Sequence, residues 1–311
     1  MTASPLFILG TRGSPLALAQ AHETRRRLAE AHGWPPERIA LSVIRTTGDS
    51  IQDRPLAEAG GKGLFTKEID LALLAGEIDA AVHSAKDLPT FMPNGVTLAG
   101  FLPREDVHDA LISAVAGSIE DLPFGASLGA ASLRRQAQAL RLRPDLKLEL
   151  LRGNVETRLS KAEQGVIGAT LLAMAGLKRL GLVDRARAPL SLDAFLPAVG
   201  QGAIALTARS GDGRALAAIA AIADAETFAE LAAERAYLAE LEGSCRTPIA
   251  GLARVADGRL RFRGEVLRPD GSERFDIDAE GASGDAARIG AEAGRALKSR
   301  LPAGILAAPG R

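Results

Sequence analysis

A chain of 311 residues, 47% hydrophobic and 24% charged, has a globular composition and is too long for one ordinary core, so two or three domains are expected. Lysine plus arginine equals aspartate plus glutamate at 38 each, which excludes a bulk field directed at nucleic acid or an anionic membrane. The first ten residues lack the basic start and apolar run of a signal peptide, and the longest conspicuous apolar run, 215–223, is far short of a membrane span. A cytoplasmic protein without an internal disulfide is expected, since Cys245 is the only cysteine.

In the first third, short apolar runs alternate with amphipathic stretches. Residues 6–9 predict a strand that leads through GTRGS (10–14) into a helix ending near His32, with Pro15 suited to its first turn. Residues 41–45 predict the next strand, and TTGDS (46–50) a turn. GGKG (60–63) precedes a helix over about 64–75, and a strand at 80–82 exits through HSAKDLP (83–89). Such strand-loop-helix repetition predicts an α/β sheet with parallel strands.

The pattern restarts near residue 103. Strands are expected at 110–113, 126–128, 148–151 and 170–172, with Ser132 as the N-cap of a helix that begins within LGAASLRRQ (128–136). The strand at 204–207 is expected to return to the first sheet. Beyond about 223 the pattern changes. A helix over 225–241 places Phe228, Leu231, Leu238 and Leu241 near one face as core positions, and strands follow near 249–254, 260–267 and 273–278. Turn signals at Asp257-Gly258 and Pro269-Asp270-Gly271 separate these strands, and a last helix spans about 285–300. The expected architecture is α/β, with two sheet domains and a small antiparallel α/β module that carries the thiol.

Cys245 lies in EGSCRTP (242–248), and packing, metal ligation and nucleophilic chemistry are all open to it. Gly243 and Ser244 keep the backbone open, Arg246 supplies a cation that favours the thiolate, and Pro248 stops a helix. That is the setting of an accessible, reactive sulfur. Metal chemistry is poorly supported. Four histidines form no HxxxH pair, and the acidic run REDVHD (104–109) reads as solvated charge at a domain junction.

Only seven of the 38 cations are lysines. Their number follows a compositional bias; their placement is more informative. The loops GTRGS, HSAKD, GAASLRR and LRGNVETR all leave the carboxyl ends of predicted strands, where ligands of open α/β sheets gather, and they bring Arg12, Lys86, Arg134, Arg135, Arg152 and Arg158. Guanidinium forks suit carboxylates and phosphates alike, but GGKG lacks P-loop spacing and no GxGxxG opens a helix. A substrate with several carboxylates fits better. Asp87, beside Lys86, would hold positive charge or N–H donors while ionised. A surface Lys-Asp pair is the plainer alternative. Two rivals share some of these features. A non-catalytic two-lobed binding protein for an anionic small molecule would have no use for Cys245, and nucleic-acid binding is disfavoured by the zero net charge and eleven aromatic residues.

The motifs GTRGSPLALAQ, GGKGLFTKEID, AAVHSAKDLPT, LGAASLRRQAQ, LRGNVETRL, LAMAGLKRLG, LPAVGQGA and LEGSCRTPIAG occur in this order. In these the chain resembles the porphobilinogen deaminase (hydroxymethylbilane synthase) family along essentially its full length. The resemblance implies three domains, at 1–102 with about 202–222, 103–201, and 223–311. The first two would resemble type II periplasmic binding proteins, with the active cleft between them. It also implies a transferase that joins four porphobilinogen units head to tail onto a dipyrromethane held by Cys245 through a thioether. Ammonia is lost, and hydrolysis releases the linear tetrapyrrole hydroxymethylbilane.

By motif matching, Asp87 would be catalytic. Arg12, Ser14, Lys86, Arg134, Arg135, Arg152, Arg158 and Arg179 would bind carboxylates, and Ser84 and Ser132 would supply hydroxyls. Lys62 falls in the loop expected to cover the cleft, and Gln201 near the interdomain crossing. A cytoplasmic monomer is implied, without metal, nucleic acid or membrane, that hands its product to uroporphyrinogen-III synthase. The chain departs from many relatives at Ala130 and Ala131, where hydroxyls are common, at Ser244, often Gly, and at Gly168, often acidic. These put individual cofactor hydrogen bonds in question.

Overall fold

The computed structural model describes residues 4–50, 63–242 and 247–306. The chain divides into two compact units, Met1–Glu105 with Gly202–Phe228, and Asp106–Gln201 with Ala229–Arg311. In chain order the elements begin with β1 (Phe7–Thr11), α1 (Pro15–His32), β2 (Ile39–Val43), α2 (Thr47–Ser50), α3 (Lys67–Leu74), β3 (Ala80–Ser84) and β4 (Val96–Phe101). Next come β5 (Asp109–Ile112), β6 (Ser127–Gly129), α4 (Leu133–Leu142), β7 (Lys147–Glu149), α5 (Val155–Glu163), β8 (Ala169–Ala173) and α6 (Met174–Arg179). The chain continues through β9 (Ile204–Arg209), α7 (Gly213–Ala220), α8 (Ala225–Glu240), β10 (Ile249–Ala256), β11 (Arg259–Leu267), β12 (Arg274–Ala282) and α9 (Ala286–Lys298).

The first unit holds a sheet in the order β2-β1-β3-β9-β4. Strand alternation buries both of its faces. Phe7, Leu9, Ala80 and Val82 pack with Ala21 and Leu28 of α1, while Ala81 joins Ile69 and Leu73 of α3 in a second core. β1 is parallel to β2 and β3, and β9 returns as expected, antiparallel to both β3 and β4. Neither β4 nor α7 was expected from periodicity. α7 has a clear start, the Asp212 carboxylate accepting the Ala215 N–H at 3.0 Å.

The predicted turn at 46–50 is instead the one-turn helix α2, because Thr46 and Asp49 form a reciprocal cap. The Asp49 N–H donates to the Thr46 carbonyl at 3.1 Å. The Asp49 carboxylate in turn accepts the Thr46 N–H at 3.3 Å and hydroxyl at 2.8 Å.

In the second unit β5, β8, β6 and β7 form a sheet in that order, with β6 parallel to β7 and β8, and β5 antiparallel to β8. Alternation again supplies two faces. Leu111, Leu128 and Leu171 pack with Ala139 of α4, and Ala110, Ile112 and Leu172 with Leu159 of α5 and Leu177 of α6. The third sheet, β10-β11-β12, is an antiparallel meander. One face packs Ile249, Leu260, Phe262 and Val266 against Tyr237 of α8 and Ile289, Ala293 and Leu297 of α9. Gly264 permits this approach, since a Cβ there would lie 2.7 Å from the Tyr237 ring. The core role expected for Phe228 does not hold. It is 45% exposed and meets Phe101 edge-on, the rings 5.8 Å apart. Leu231, Tyr237 and Leu241 are its large buried apolar side chains, and partly buried Leu238 packs against the same core.

Candidate active site

Parallel pairing of β1 with β3 puts their carboxyl ends side by side, so the loops that follow them meet. Arg12 and Ser14 leave β1, and Ser84 ends β3 just before the 3-10 turn Ala85–Asp87. Ser14 also caps α1, its hydroxyl accepting the Ala17 N–H at 3.3 Å. A pocket there is lined by Arg12, Ser14, Gln20, Phe65, Thr66, His83, Ser84 and Asp87, among others. The structure thus brings together four of the residues read from sequence and adds Gln20, Phe65 and His83, which sequence reasoning missed. Lys86 is exposed beside them and is not part of the lining.

The Arg12 guanidinium is held in one orientation. Its Nε donates to Asp49 at 3.1 Å, its Nη2 meets the same carboxylate, and its Cζ lies 4.1 Å from the Phe65 ring centroid. Burial opposes ionisation of Asp49, but hydrogen bonds from Arg12 and Thr46 hold its pKa below the usual carboxylate range. Gln20 Nε2 lies 3.0 Å from the Ser84 hydroxyl, which fixes that hydroxyl at the rim. His83 is buried, its Nε2 3.3 Å from the Thr207 hydroxyl. Burial, with the Arg12 cation second, pushes its pKa down to about 4, so it is neutral at pH 7. Cationic character in this lining therefore comes from Arg12.

The second unit carries the other arginines. Because β6, β7 and β8 run parallel, their carboxyl ends share one edge, and antiparallel β5 begins at that same edge with Asp109. Ser132 caps α4, accepting the Arg135 N–H at 3.4 Å as predicted. The helix then turns Arg134 and Arg135 inward, where both are buried. Arg134 Nη2 reaches Asp109 at 2.7 Å, and Arg135 grips the other oxygen through Nη2 at 2.7 Å and Nε at 3.2 Å. Gln201 Nε2 adds a contact to Asp109 at 3.0 Å. The carboxylate these arginines hold here is thus internal.

The reading of 104–109 as solvated charge is corrected by Asp109, which is fully buried. The missed signal was its position at the head of an apolar strand, where an acid must bring a cation inside with it. Burial would raise the Asp109 pKa, but Arg134 and Arg135 outweigh it and hold it far below the usual range. Arg134 Nε is buried with no acceptor among the described residues.

Arg152 follows β7, Arg158 lies in α5 with its Nε donating to the Gly153 carbonyl at 3.0 Å, and Arg179 ends α6; all three are half-buried. Lys62, Ser244 and Cys245 lie outside the described residues. Among the described residues no cluster of three or more His, Cys, Asp or Glu could hold a metal, and no helix is long and apolar enough to cross a membrane.

Two family models match this chain. "Porphobilinogen deaminase, dipyromethane cofactor binding domain" covers residues 7–217, and "Porphobilinogen deaminase, C-terminal domain" covers 228–299. The chain belongs to the porphobilinogen deaminase family. Its similarity to relatives of that name is high. The Nitrobacter winogradskyi protein is 61% identical over 95% of this chain and 93% of its own, and the Paracoccus denitrificans protein 55% identical over 95% and 94%. Among solved structures, the L-cystine solute receptor of Neisseria gonorrhoeae aligns at 16% identity over 70% of this chain and 84% of its own, with a TM-score of 0.37. That likeness is too low to carry a conclusion. Membership of the porphobilinogen deaminase family makes this chain a transferase of tetrapyrrole construction with a dipyrromethane-binding domain.

Proposed function

We propose how this chain's own residues divide the work of the family reaction, in which four porphobilinogen units are condensed head to tail with loss of ammonia and hydroxymethylbilane is released. The observation that carries the reading is the shared pocket of Arg12, Ser14, Ser84 and Asp87 at the ends of two parallel strands. When bound, the dipyrromethane supplies the primer that accepts incoming pyrroles. The donor set suits such a group, which is rich in acetate and propionate. The set includes arginine forks and serine hydroxyls, and Arg134 Nε has no acceptor among the described residues. Cys245 would attach it through a thioether. Arg134, Arg135, Arg152, Arg158 and Arg179, with Lys62, Lys86, Ser132 and Gln201, would complete the grip on pyrrole carboxylates.

Asp87 would act on the reacting centre. Loss of ammonia from porphobilinogen leaves a cationic azafulvene, and a carboxylate beside it stabilises charge that the substrate lacks. Arg12, pinned by Asp49 and Phe65, presents its fork without further ordering. Neutral His83 adds no second cation to repel the azafulvene. We also propose the three-domain division at 1–102 with about 202–222, 103–201 and 223–311, a cytoplasmic monomer, and handover of product to uroporphyrinogen-III synthase.

The test is mass spectrometry of protein quenched with limiting porphobilinogen, counting pyrrole units per chain. As the chain of pyrroles grows, different carboxylates must meet different cations, so Arg12→Leu and Arg152→Leu should stall at different counts. Lysine should rescue Arg12 poorly, because an ammonium cannot reproduce the fork. A uniform loss of affinity, cured by lysine or by lower salt, would instead mark long-range attraction and contradict site-specific binding.

A further inference from the structure

We propose that Glu265 is a positioning residue for the arginine pair, acting through Gln138 on Arg134, so that the third sheet sets the helix that carries those arginines. The proposal rests on the reading above that Arg134 serves pyrrole carboxylates.

Glu265, Gln138 and Arg134 are all buried, and they form a continuous relay. The Glu265 carboxylate accepts from Gln138 Nε2, and the other end of that amide, Oε1, accepts from Arg134 Nη1 at 2.8 Å. A shared acceptor fixes the relay laterally. The Leu196 carbonyl receives Arg134 Nη1 at 2.8 Å and Gln138 Nε2 at 2.9 Å. The acceptor at Glu265 also sets which way the Gln138 amide faces. With Nε2 committed to Glu265 and Leu196, Oε1 must point at Arg134. Without Glu265 the Leu196 carbonyl alone holds Nε2, and a flip of the amide would turn its NH2 toward a guanidinium that can only donate.

A second contact brings the same hairpin onto the same helix. Gly271, in the turn between β11 and β12, has φ +74°, and a Cβ there would lie 2.6 Å from the Arg141 amide nitrogen and 2.7 Å from the Ala137 carbonyl. The turn therefore sits directly on the α4 backbone, one turn beyond Gln138. Glu265 also faces Ala250 in the sheet register, on the strand that begins four residues after Cys245. Through this hairpin, the strand that follows the thiol is tied to the helix that aims Arg134. Nothing in the chemistry of Asp87 or of the first-unit pocket requires that link.

Four proteins test it: Glu265→Ala, Gln138→Ala, the double variant, and Glu265→Gln. The readouts are kcat/KM for porphobilinogen and the fraction of purified protein that carries a two-pyrrole adduct. Each alanine should lower kcat/KM about tenfold, and the double variant should lose no more than the worse single, because both cut one relay. Glu265→Gln should stay within about twofold of the parent, since its amide oxygen accepts the same bond from Gln138. Adduct loading should fall in both alanine variants and recover with glutamine, a rescue that general loss of stability would not give. Multiplying effects in the double variant, or a Glu265→Ala protein with parental kcat/KM, would overturn the proposal. A parent protein that carries no adduct and consumes no porphobilinogen would sink the functional reading, and this inference with it.

Discussion

Asp87→Asn is expected to lower turnover about 10²–10³-fold, the loss seen when a preorganised electrostatic partner of a transition state is removed. Asparagine keeps the shape and one acceptor oxygen, so what disappears is chiefly the charge. Asp87 sits at the end of a 3-10 turn, exposed into a pocket whose fixed cation is Arg12 and whose histidine is neutral. On the proposed reading, positive charge that develops on the substrate would find its counter-charge in this carboxylate. Because that charge matters little before ammonia leaves, KM should change far less than kcat, and the two-pyrrole adduct should remain attached. Steady-state kinetics with intact mass on the same sample checks both halves. A variant with most of its turnover would place the stabilising charge on another residue.

The second large effect concerns stability. Asp109→Asn removes the carboxylate shared by two buried guanidiniums, and leaving buried charge uncompensated costs about 3–5 kcal/mol. Asparagine keeps a single acceptor oxygen, so either Arg134 would lose its 2.7 Å contact or Arg135 its two-pronged grip, and the guanidinium left without it would face an NH2 that can only donate. The native protein should also show the pH signature of this carboxylate. Its pKa is depressed in the folded state, so its stabilisation is present above the unfolded value of about 3.9 and is lost as pH falls toward the folded value. Denaturation midpoints at pH 7 and below pH 4 should converge between the two proteins as the solution becomes acidic. A constant gap across that range would show that Asp109 is not the titrating support of the arginine pair.

Local signals in the sequence located much of this architecture. Pro15 falls in the first turn of its helix as expected, and Ser132 before the LRRQ helix is the cap it resembles. Asp257-Gly258, both with positive φ, closed the hairpin they predicted. The strand-exit rule places Arg12, Ser84 and Asp87 near one another, because parallel strands put successive exits on one edge. What stayed hidden was pairing at a distance. Asp109 lies 25 residues before Arg134, and no local pattern says that a carboxylate in an acidic run will end inside the protein. The Asp49 brace on Arg12 was hidden differently. TTGDS carries the residues of a turn, and a four-residue helix leaves no periodicity to distinguish it from one. β4 escaped for a related reason, since VTLAGF is a short run whose burial depends on β9 arriving beside it from more than a hundred residues away.

Intact mass of the purified protein tests the central claim most directly. Covalent attachment predicts a chain heavier than its sequence by one dipyrromethane, reactive toward an Ehrlich-type aldehyde reagent, and a Cys245→Ala protein at its bare sequence mass with no activity. It also predicts a lower melting temperature for Cys245→Ala, because a ligand bound only by the folded state stabilises that state. An active protein at its unmodified mass, or an adduct that survives Cys245→Ala, would contradict the account.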